Sequence, residues 1–326
     1  MRAIVTGGAG FIGSHLIETL LEDGHDVTCV ERLGAGRGWV EGLPVAWEPV
    51  GLEDDEALRR IFSGADVVFH LAALTEAVRP RDLYSVNTEG TARVIRAAAA
   101  FNGSAPRLIL MSSLAAIGPC RNGEALTADS VPCPLSHYGN SKLLAEAVIH
   151  AFEDRVPATI VRLPAVYGPR ERAILALFKM LKRGVALTIG RWDREASMIY
   201  VKDVVQGLIA AAASERAVGR TYCLAYPRPI TWTELAETAG SVFGRRPRLM
   251  SLPAAAANPI ALCCEVGARI SGKAAILNRD RVREISQERW VCDPSRAIDE
   301  IGFAPDYPIG RGVRETIAWY RKEEWL

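Results

Sequence analysis

The fold of this chain is decided by one stretch, Ala3–Gly13, which reads AIVTGGAGFIG. Its first residues form an apolar run typical of a buried strand, and the glycines follow where a strand turns tightly into a helix. Glycine lets the backbone pass close to a phosphate and lets the helix pack closely on the strand. Free amides at such a helix start bind a pyrophosphate. The stretch therefore predicts a dinucleotide site formed by Gly7, Gly10, Phe11, Ile12 and Gly13.

A second predicted strand supports this site, because an acidic residue stands at its end. The strand Asp26–Val30 is followed by Glu31, eighteen positions after Gly13. A dinucleotide-binding fold places there the carboxylate that binds the adenosine ribose hydroxyls. Its charge would repel the 2′-phosphate of NADP, so we predict NAD as the cofactor. NADP stays open as the alternative, because Arg32 and Arg37 flank the same pocket and could bind that phosphate.

Short apolar runs alternate with helical patterns through the first half of the chain. We interpret the runs as buried parallel strands at Ala3–Val5, Val27–Val30, Val67–Leu71, Leu108–Met111 and Thr159–Leu163. This alternation predicts an α/β fold with a doubly wound parallel sheet, whose ligand crevice lies at the carboxyl ends of the strands. The best helix pattern covers Asp82–Ala100, and Asn102-Gly103 is a stop signal for it.

At 326 residues the chain is near the upper size of a single core, so we expect two lobes. The alternation breaks down after Gly168-Pro169. We therefore predict a dinucleotide-binding domain at 1–168 and a smaller, interleaved substrate-binding lobe at 169–196 and 225–326. The segment 197–224 is predicted to return to the first domain, with strands at Ser197–Val201 and Thr221–Leu224 in the main sheet.

Composition and charge narrow the classes of protein. The net charge is +1, and there is no basic stripe typical of nucleic-acid binding. The seven cysteines include no C-x-x-C pair, which disfavours a disulfide framework and a zinc site and favours the reducing cytoplasm. The chain enters its first strand at once, so we expect no signal peptide. The apolar segment Leu252–Val266 is too short for a membrane anchor, and we predict that it forms a wall of the substrate lobe.

Tyr138 and Lys142 are four residues apart in a segment that continues as an amphipathic helix, so both lie on one helix face. A nearby ammonium can lower the pKa of a phenol, ordinarily about 10, by about 1–3 units. Tyr138 would then become a usable general base. Ser113 stands at the carboxyl end of a predicted strand, where its hydroxyl could bind a substrate oxygen beside the tyrosine.

With these residues in place, the chain resembles the extended short-chain dehydrogenase/reductase family, the NAD-dependent epimerase/dehydratase group, over nearly its whole length. The matching pieces are Thr6–Gly13, Phe69–Ala73, Val86–Thr91, Ser112-Ser113, Tyr138 with Lys142, and Arg162–Pro169. The resemblance implies a Rossmann fold with Tyr138 as acid/base. It implies that Lys142 binds the nicotinamide ribose and lowers the tyrosine pKa, and that Ser113 polarises the substrate oxygen.

The same resemblance implies contacts from two further segments to the dinucleotide. These segments contribute Leu71, Ala72 and Ala73 at the end of one strand, and Pro164 and Val166 at the end of another. By the family's pattern, His70 is a packing residue at a strand end rather than a metal ligand, and Asn87 is a structural hydrogen-bonder. We therefore expect no metal.

The substrate is indicated less sharply. Nucleotide-sugar 4-epimerases of this family usually carry asparagine at the position of Ala165 and arginine at that of Ala196. Sugar 4,6-dehydratases carry an Asp-Glu pair where Leu114 and Ala115 stand here. The segments Leu74–Pro80 and Pro164–Pro169 look more like the reductase and hydroxysteroid-dehydrogenase-like branch. Our candidate substrate residues are Thr75, Leu114, Ala165 and Arg170, and Arg172, Arg191 and Arg194 are also available for an anionic group.

The leading hypothesis is an NAD(P)-dependent oxidoreductase that interconverts a secondary alcohol and a ketone, with hydride transfer to or from the nicotinamide. A nucleotide-sugar epimerase that retains its NAD is the alternative enzyme. A dinucleotide-sensing protein without catalysis is the alternative of another class. We expect a small-molecule substrate and a homodimer that pairs the helices at 82–100 and 138–153.

Overall fold

The computed structural model describes residues 1–101, 104–121, 123–275 and 277–326. In these ranges a sheet of seven parallel strands forms the centre of the fold. Its strands are β1 (Arg2–Thr6), β2 (Asp26–Glu31), β3 (Ala46–Pro49), β4 (Val67–His70), β5 (Arg107–Ser113), β6 (Ala158–Leu163) and β11 (Thr221–Cys223). Their order across the sheet is β11-β6-β5-β4-β1-β2-β3. The predicted doubly wound parallel sheet is therefore confirmed, with all five predicted strands in it.

Two strands differ from the sequence-based expectation. The edge strand β3 escaped prediction because its four residues, Ala-Trp-Glu-Pro, contain no apolar run. The predicted return of Ser197–Val201 to the main sheet was wrong. Its strand β10 (Met198–Tyr200) pairs instead with β7 (Ala165–Tyr167), just after Pro164 has taken the chain out of β6. The return of Thr221–Leu224 is correct, since β11 pairs with β6.

The remaining strands form small sheets outside the centre. They are β8 (Val185–Ile189), β9 (Glu195–Ala196), β12 (Ile230–Thr231), β13 (Arg248–Leu252) and β14 (Arg289–Trp290). The pairs are β8 with β13, and β9 with both β12 and β14.

The helices cover the central sheet and build a second core. They are α1 (Phe11–Glu22), α2 (Asp55–Phe62), α3 (Pro80–Tyr84), α4 (Gly90–Ala98), α5 (His137–His150), α6 (Leu175–Lys182), α7 (Val201–Ala213), α8 (Trp232–Val242), α9 (Ala254–Ser271), α10 (Arg279–Ile285), α11 (Ser295–Ile301) and α12 (Ile309–Lys322). Alternate residues of β1 pack on opposite faces, as a strand requires. Ala3 and Val5 join the cluster with α1 and α7, and Ile4 joins the cluster with α2, α4 and α5.

The predicted helix Asp82–Ala100 is helical but not uniform. A π-helical turn over Ser85–Glu89 separates α3 from α4. Thr91 Oγ1 donates to the carbonyl oxygen of Asn87 at 2.6 Å within this wider turn. Turns of this kind are frequent at functional sites, and the Asn87 side chain in this one contacts Ser141 on α5. The predicted stop signal at 102–103 lies outside the described residues.

The second core lies around α6, α8 and α12 and is rich in aromatic side chains, among them Tyr167, Phe178, Tyr200 and Tyr320. The apolar segment Leu252–Val266 falls largely within α9, which contains Pro259. Within the described ranges, no helix combines the length and the apolar character needed to cross a membrane.

Candidate active site

The glycine-rich turn between β1 and α1 is shaped to hold a dinucleotide phosphate. Gly7 has φ +72°, and a Cβ atom at this position would lie 2.7 Å from the backbone nitrogen of Ala72. A Cβ atom on Gly13 would overlap the carbonyl oxygen of Gly7. Among the described residues, no side chain caps α1 at Gly10, so the amides of its first turn point at the cradle that the glycines leave free. These features fit a pyrophosphate.

Glu31 contacts this turn. Its Oε1 accepts a hydrogen bond of 2.9 Å from the amide of Ala9, and burial raises the pKa of its carboxyl group. Of the two flanking arginines, Arg32 is exposed, and the guanidinium of Arg37 lies 5.4 Å from the centre of the Trp47 ring. The sequence-predicted acid is therefore beside the glycine turn, as a ribose ligand must be.

The loop after β4 lies beside the same turn. Leu71 and Ala72 donate their amides to the backbone oxygen and the hydroxyl of Thr6, at 3.1 and 3.3 Å. His70 binds the hydroxyls of Thr6 and Thr91 through its two ring nitrogens, at 2.7 and 3.0 Å. It is thus a buried packing residue, as its motif implied. Among the described residues, no group of three His, Cys, Asp or Glu side chains could hold a metal ion.

Asn87 connects this loop to α5, the helix that contains Tyr138 and Lys142. Its Oδ1 accepts from the amide of Leu74, and its Nδ2 donates to the carbonyl oxygen of Leu74, both at 2.8 Å. The same Nδ2 also donates to Ser141 Oγ at 2.9 Å. The side chain of Asn87 therefore fixes the distance between α5 and the loop that follows β4.

Ser113, Tyr138 and Lys142 come together at the carboxyl end of β5. Ser136 caps α5 by accepting from the amide of Gly139 at 3.0 Å, which places Tyr138 in the first turn of the helix. The hydroxyl of Ser113 lies beside the phenol of Tyr138 and lowers its pKa, and Ser113 Oγ accepts from the amide of Ala115 at 3.1 Å. The tyrosine and serine are thus adjacent, as a shared contact with one substrate oxygen requires.

Burial and three neighbouring groups set the pKa of Tyr138. Burial raises the pKa of its phenol, while the hydroxyl of Ser113 and the charge of Arg281 lower it and the charge of Glu284 raises it. The ammonium of Lys142, on the same helix, donates a hydrogen bond of 2.6 Å to the carbonyl oxygen of Met111. Burial lowers the pKa of Lys142 to about 8, against the opposing charge of Glu146.

A buried ion pair joins α5 to the central sheet. Arg162 on β6 donates to both carboxylate oxygens of Glu146, at 3.0 and 2.7 Å, and to the carbonyl oxygen of Ala128 at 2.8 Å. Ser112 donates to Glu146 at 2.5 Å. Because Glu146 lies one turn after Lys142, this network fixes the register of α5 against β5 and β6.

A cavity of about 780 Å³ opens in front of Tyr138. Five predicted site residues line it: Thr75, Tyr138, Pro164, Ala165 and Val166. Most of its wall was not predicted. Its apolar part includes Val78, Leu83, Leu177, Met198 and Trp232. Its polar part includes Glu171 and seven charged residues of α9 and α10, namely Glu265, Arg269, Arg279, Asp280, Arg281, Arg283 and Glu284. No motif marks the α9 and α10 residues, since their segment is brought to the site by the tertiary fold.

Two predicted substrate residues lie elsewhere. Leu114 is 3% exposed and packs in a core cluster with Ile117 and Leu126. Arg170 donates to Ser14 Oγ at 2.9 Å and to Glu18 at 2.6 Å, so its guanidinium is paired with residues of α1. Neither lines the cavity described above.

The three further arginines considered for an anionic group have protein partners as well. Arg172 stacks over Trp325, Arg191 pairs with Asp193, and Arg194 donates to Thr188. The arginines that line the cavity come instead from α9 and α10.

Known proteins agree with this fold. Residues 3–225 match the profile of the NAD dependent epimerase/dehydratase family. The chain is 29% identical to a ceramide reductase of Caulobacter vibrioides, over 99% of this chain and 95% of that protein. It is 27% identical to 3beta-hydroxysteroid-dehydrogenase/decarboxylase isoform 1 of Arabidopsis thaliana, over 96% and 78%.

The fold also matches a solved structure. The UDP-glucose 4-epimerase of Thermotoga maritima, solved with UDP-glucose, superposes with a TM-score of 0.82 at 23% identity, over 99% of this chain and 100% of that chain. At this identity the likeness shows the fold alone. The family match spans more than half of the chain and confirms the predicted family, its enzyme class and its use of NAD. The chain belongs to the NAD-dependent epimerase/dehydratase family.

Proposed function

We propose that this protein is an NAD-dependent oxidoreductase that interconverts a secondary alcohol and a ketone, with Tyr138 as the acid/base. One observation carries the proposal: Tyr138, with the hydroxyl of Ser113 beside it, faces a cavity with a large apolar wall. A phenol and a hydroxyl at one oxygen can bind a carbonyl or an alcohol and move its proton.

In this proposal, Gly7, Gly10, Phe11, Ile12 and Gly13 hold the pyrophosphate of NAD. Glu31 binds the adenosine ribose, with Arg32 beside it, and Leu71, Ala72, Ala73, Pro164 and Val166 contact the dinucleotide through their backbone. When bound, the nicotinamide supplies or accepts a hydride.

Residues of the chain then bind the substrate oxygen and transfer its proton. Ser113 donates to the substrate oxygen and orients it, and Tyr138 gives or takes the proton at its phenolic oxygen. Lys142 binds the nicotinamide ribose from the same face of α5. In the oxidation direction Tyr138 acts as the base, and in the reduction direction it acts as the acid.

The substrate we propose has a large apolar part. Leu83, Leu177, Met198 and Trp232 line the cavity with apolar side chains, and Thr75 and Ala165 also line it. The similarity to a ceramide reductase and a hydroxysteroid dehydrogenase supports this class. Ala196, where the epimerases of this family usually carry arginine, is buried in β9 and offers no charge to a diphosphate.

A nucleotide-sugar epimerase that retains NAD is the second candidate. The observation in its favour is the group of arginines that α9 and α10 bring to the cavity. Three of them are already paired: Arg279 with Glu265 at 3.0 Å, Arg283 with Asp280 at 3.2 Å and Arg281 with Glu284 at 3.8 Å. A diphosphate would have to compete for them. We therefore rank this function second. A non-catalytic dinucleotide sensor ranks third, because Ser113, Tyr138 and Lys142 are all in place.

Three organisational predictions belong to the same proposal. They are the domain division at 1–168 with 197–224 against 169–196 and 225–326, a homodimer through the helices at 82–100 and 138–153, and a cytoplasmic location.

The test is the amount of dinucleotide released when freshly purified protein is denatured. An oxidoreductase that exchanges cofactor in each turnover should release well under one equivalent and bind added NAD reversibly. One tightly held equivalent per chain would favour the epimerase and contradict the leading proposal.

A further inference from the structure

The outer face of α9 is apolar along its whole length. At 100° per residue, the small residues Ala257, Ala261 and Ala268 lie on one arc of the helix and are buried against its neighbours. Pro259, Val266 and Ile270 lie on the opposite arc. Their neighbours there include Ile260, Leu262 and Cys263, all exposed.

This exposure is large for apolar side chains. Ile270 is 84% exposed, Val266 49%, and Ile260 and Leu262 are each 47% exposed. Scattered apolar residues on a surface need no explanation, but a contiguous face of them marks a contact with another molecule or a membrane.

The charges beside this face are basic. Arg269 and Lys273 are exposed at the carboxyl end of the helix. Glu265, the acidic residue of α9, is paired with Arg279 at 3.0 Å. An apolar helix face flanked by exposed cations fits the boundary between lipid head groups and acyl chains, with anionic head groups near the cations.

The same helix forms part of the substrate cavity. Glu265, Ala268 and Arg269 line it, and Ala268 lies on the buried arc opposite to Val266. A surface that binds the outer face of α9 would therefore lie next to the wall of the cavity.

We propose that α9 docks the protein on an anionic bilayer surface, with its outer face in the interfacial region and the substrate cavity beside the lipid. Only the choice of a lipid-like substrate rests on the proposed function. The helix lies on the membrane in this account and does not span it.

A second copy of the chain fits this face less well. A two-fold interface brings the same patch of both chains together. That patch offers no free carboxylate of α9 to Arg269 and Lys273, because Glu265 is already paired with Arg279, so a second copy would bring more positive charge to the interface. Anionic head groups neutralise these two residues instead.

The test is sedimentation of the full-length protein with vesicles, without substrate. The vesicles contain either equal parts of phosphatidylglycerol and phosphatidylcholine or phosphatidylcholine alone. We expect binding to the anionic vesicles. Ile270→Glu should weaken it at least about tenfold, because it removes an inserted side chain and adds a like charge. Lys273→Gln should weaken it about fivefold, the factor expected for one basic residue near an anionic surface.

Val131→Glu is the matched control, since Val131 is also 84% exposed but lies in a loop before α5. It should bind the anionic vesicles as the unmodified protein does. The proposal is overturned if the unmodified protein binds neither kind of vesicle, or if Ile270→Glu and Val131→Glu bind alike. It is also overturned if the protein is a dimer that Ile270→Glu dissociates, since the face would then join two copies.

Vesicle binding is measured without turnover, so the two proposals fail separately. Binding without any hydride transfer to an apolar ketone would contradict the proposed function alone. Hydride transfer without vesicle binding would contradict the docking proposal alone.

Discussion

Lys142 donates a hydrogen bond of 2.6 Å from its ammonium to the carbonyl oxygen of Met111, which ties α5 to the central sheet. The lysine is 3% exposed. Burial makes its charged form less favourable and therefore lowers its pKa to about 8. This relationship makes Lys142 a source of pH-dependent stability as well as a proposed cofactor ligand.

Stability should therefore change with pH in a defined window. Below pH 8 the lysine is charged in both the folded and the unfolded chain, so the full cost of burying the charge is present. Between about 8 and its usual value near 10.5, the folded chain has lost the proton and the unfolded chain still binds it, so the free energy of unfolding rises with pH.

Lys142→Met should thus be more stable than the unmodified protein at pH 7, by about 3 kcal/mol, and this advantage should fall below about 1 kcal/mol by pH 10. Urea unfolding at the two pH values measures it. An advantage of the same size at both values would contradict the assigned shift.

Tyr138→Phe removes the proposed proton carrier and little volume. We expect turnover to fall by about 100- to 10,000-fold, the usual contribution of general acid–base catalysis. NAD affinity should stay within about threefold, because the phenyl ring keeps its place in α5. Steady-state kinetics and a binding titration measure the two effects. Unchanged turnover would exclude Tyr138 as the acid/base.

Glu31 should decide between the two dinucleotides. Its carboxylate lies beside the glycine turn, at 2.9 Å from the amide of Ala9, where a 2′-phosphate would meet a like charge. Glu31→Gln should raise the affinity for NADP relative to NAD by about tenfold, and Glu41→Gln, an exposed residue ten positions on, should leave the ratio unchanged. Equal ratios in both variants would remove Glu31 from the cofactor site.

Gly13→Ala should damage the phosphate cradle. Its Cβ atom would overlap the carbonyl oxygen of Gly7, a backbone atom that cannot turn away like a side chain. Overpacking of this kind costs about 1–3 kcal/mol, and we expect it to weaken NAD binding by about tenfold. Gly267→Ala is the control, because no atom lies within 4 Å of a Cβ placed there. Calorimetric titration with NAD compares the two variants.

The pair of Arg162 and Glu146 should show strong coupling. Arg162→Met leaves the Glu146 carboxylate buried without its cation, which costs about 3–5 kcal/mol of unfolding free energy. Adding Glu146→Leu should restore most of that loss, since no buried charge then remains. Denaturant unfolding of the two single variants and the double variant gives the coupling. Additive losses would contradict a buried, mutually dependent pair.

Local sequence patterns predicted the part of the site that short segments build. The glycine turn, Glu31 at the end of β2, and Tyr138 with Lys142 on one helix each depend on a few neighbouring residues. The outer wall could not be predicted in this way. Ser136, for example, donates to Glu284 at 2.5 Å, although 148 positions separate them in the chain.

The misplaced residues have a physical reason as well. The partner of a loop arginine such as Arg170 cannot be predicted from the neighbouring residues in the sequence. The same local sequence would be found whether Arg170 bound a substrate or, as here, Glu18. The same holds for Leu114, which directly follows Ser113 and packs in the core. Similarly, the strand Met198–Tyr200 has the apolar pattern of a buried strand, and the pattern does not say which sheet it joins.

The most direct test of the proposed oxidoreductase is net conversion of the nicotinamide over many turnovers. Purified protein is mixed with excess NADH and a long-chain ketone, or with NAD and the corresponding alcohol, and the nicotinamide absorbance is followed. The account predicts that many equivalents of nicotinamide are converted per chain, and that Tyr138→Phe abolishes the conversion. No net conversion with these substrates, together with turnover of a nucleotide sugar on one retained equivalent of NAD, would contradict it.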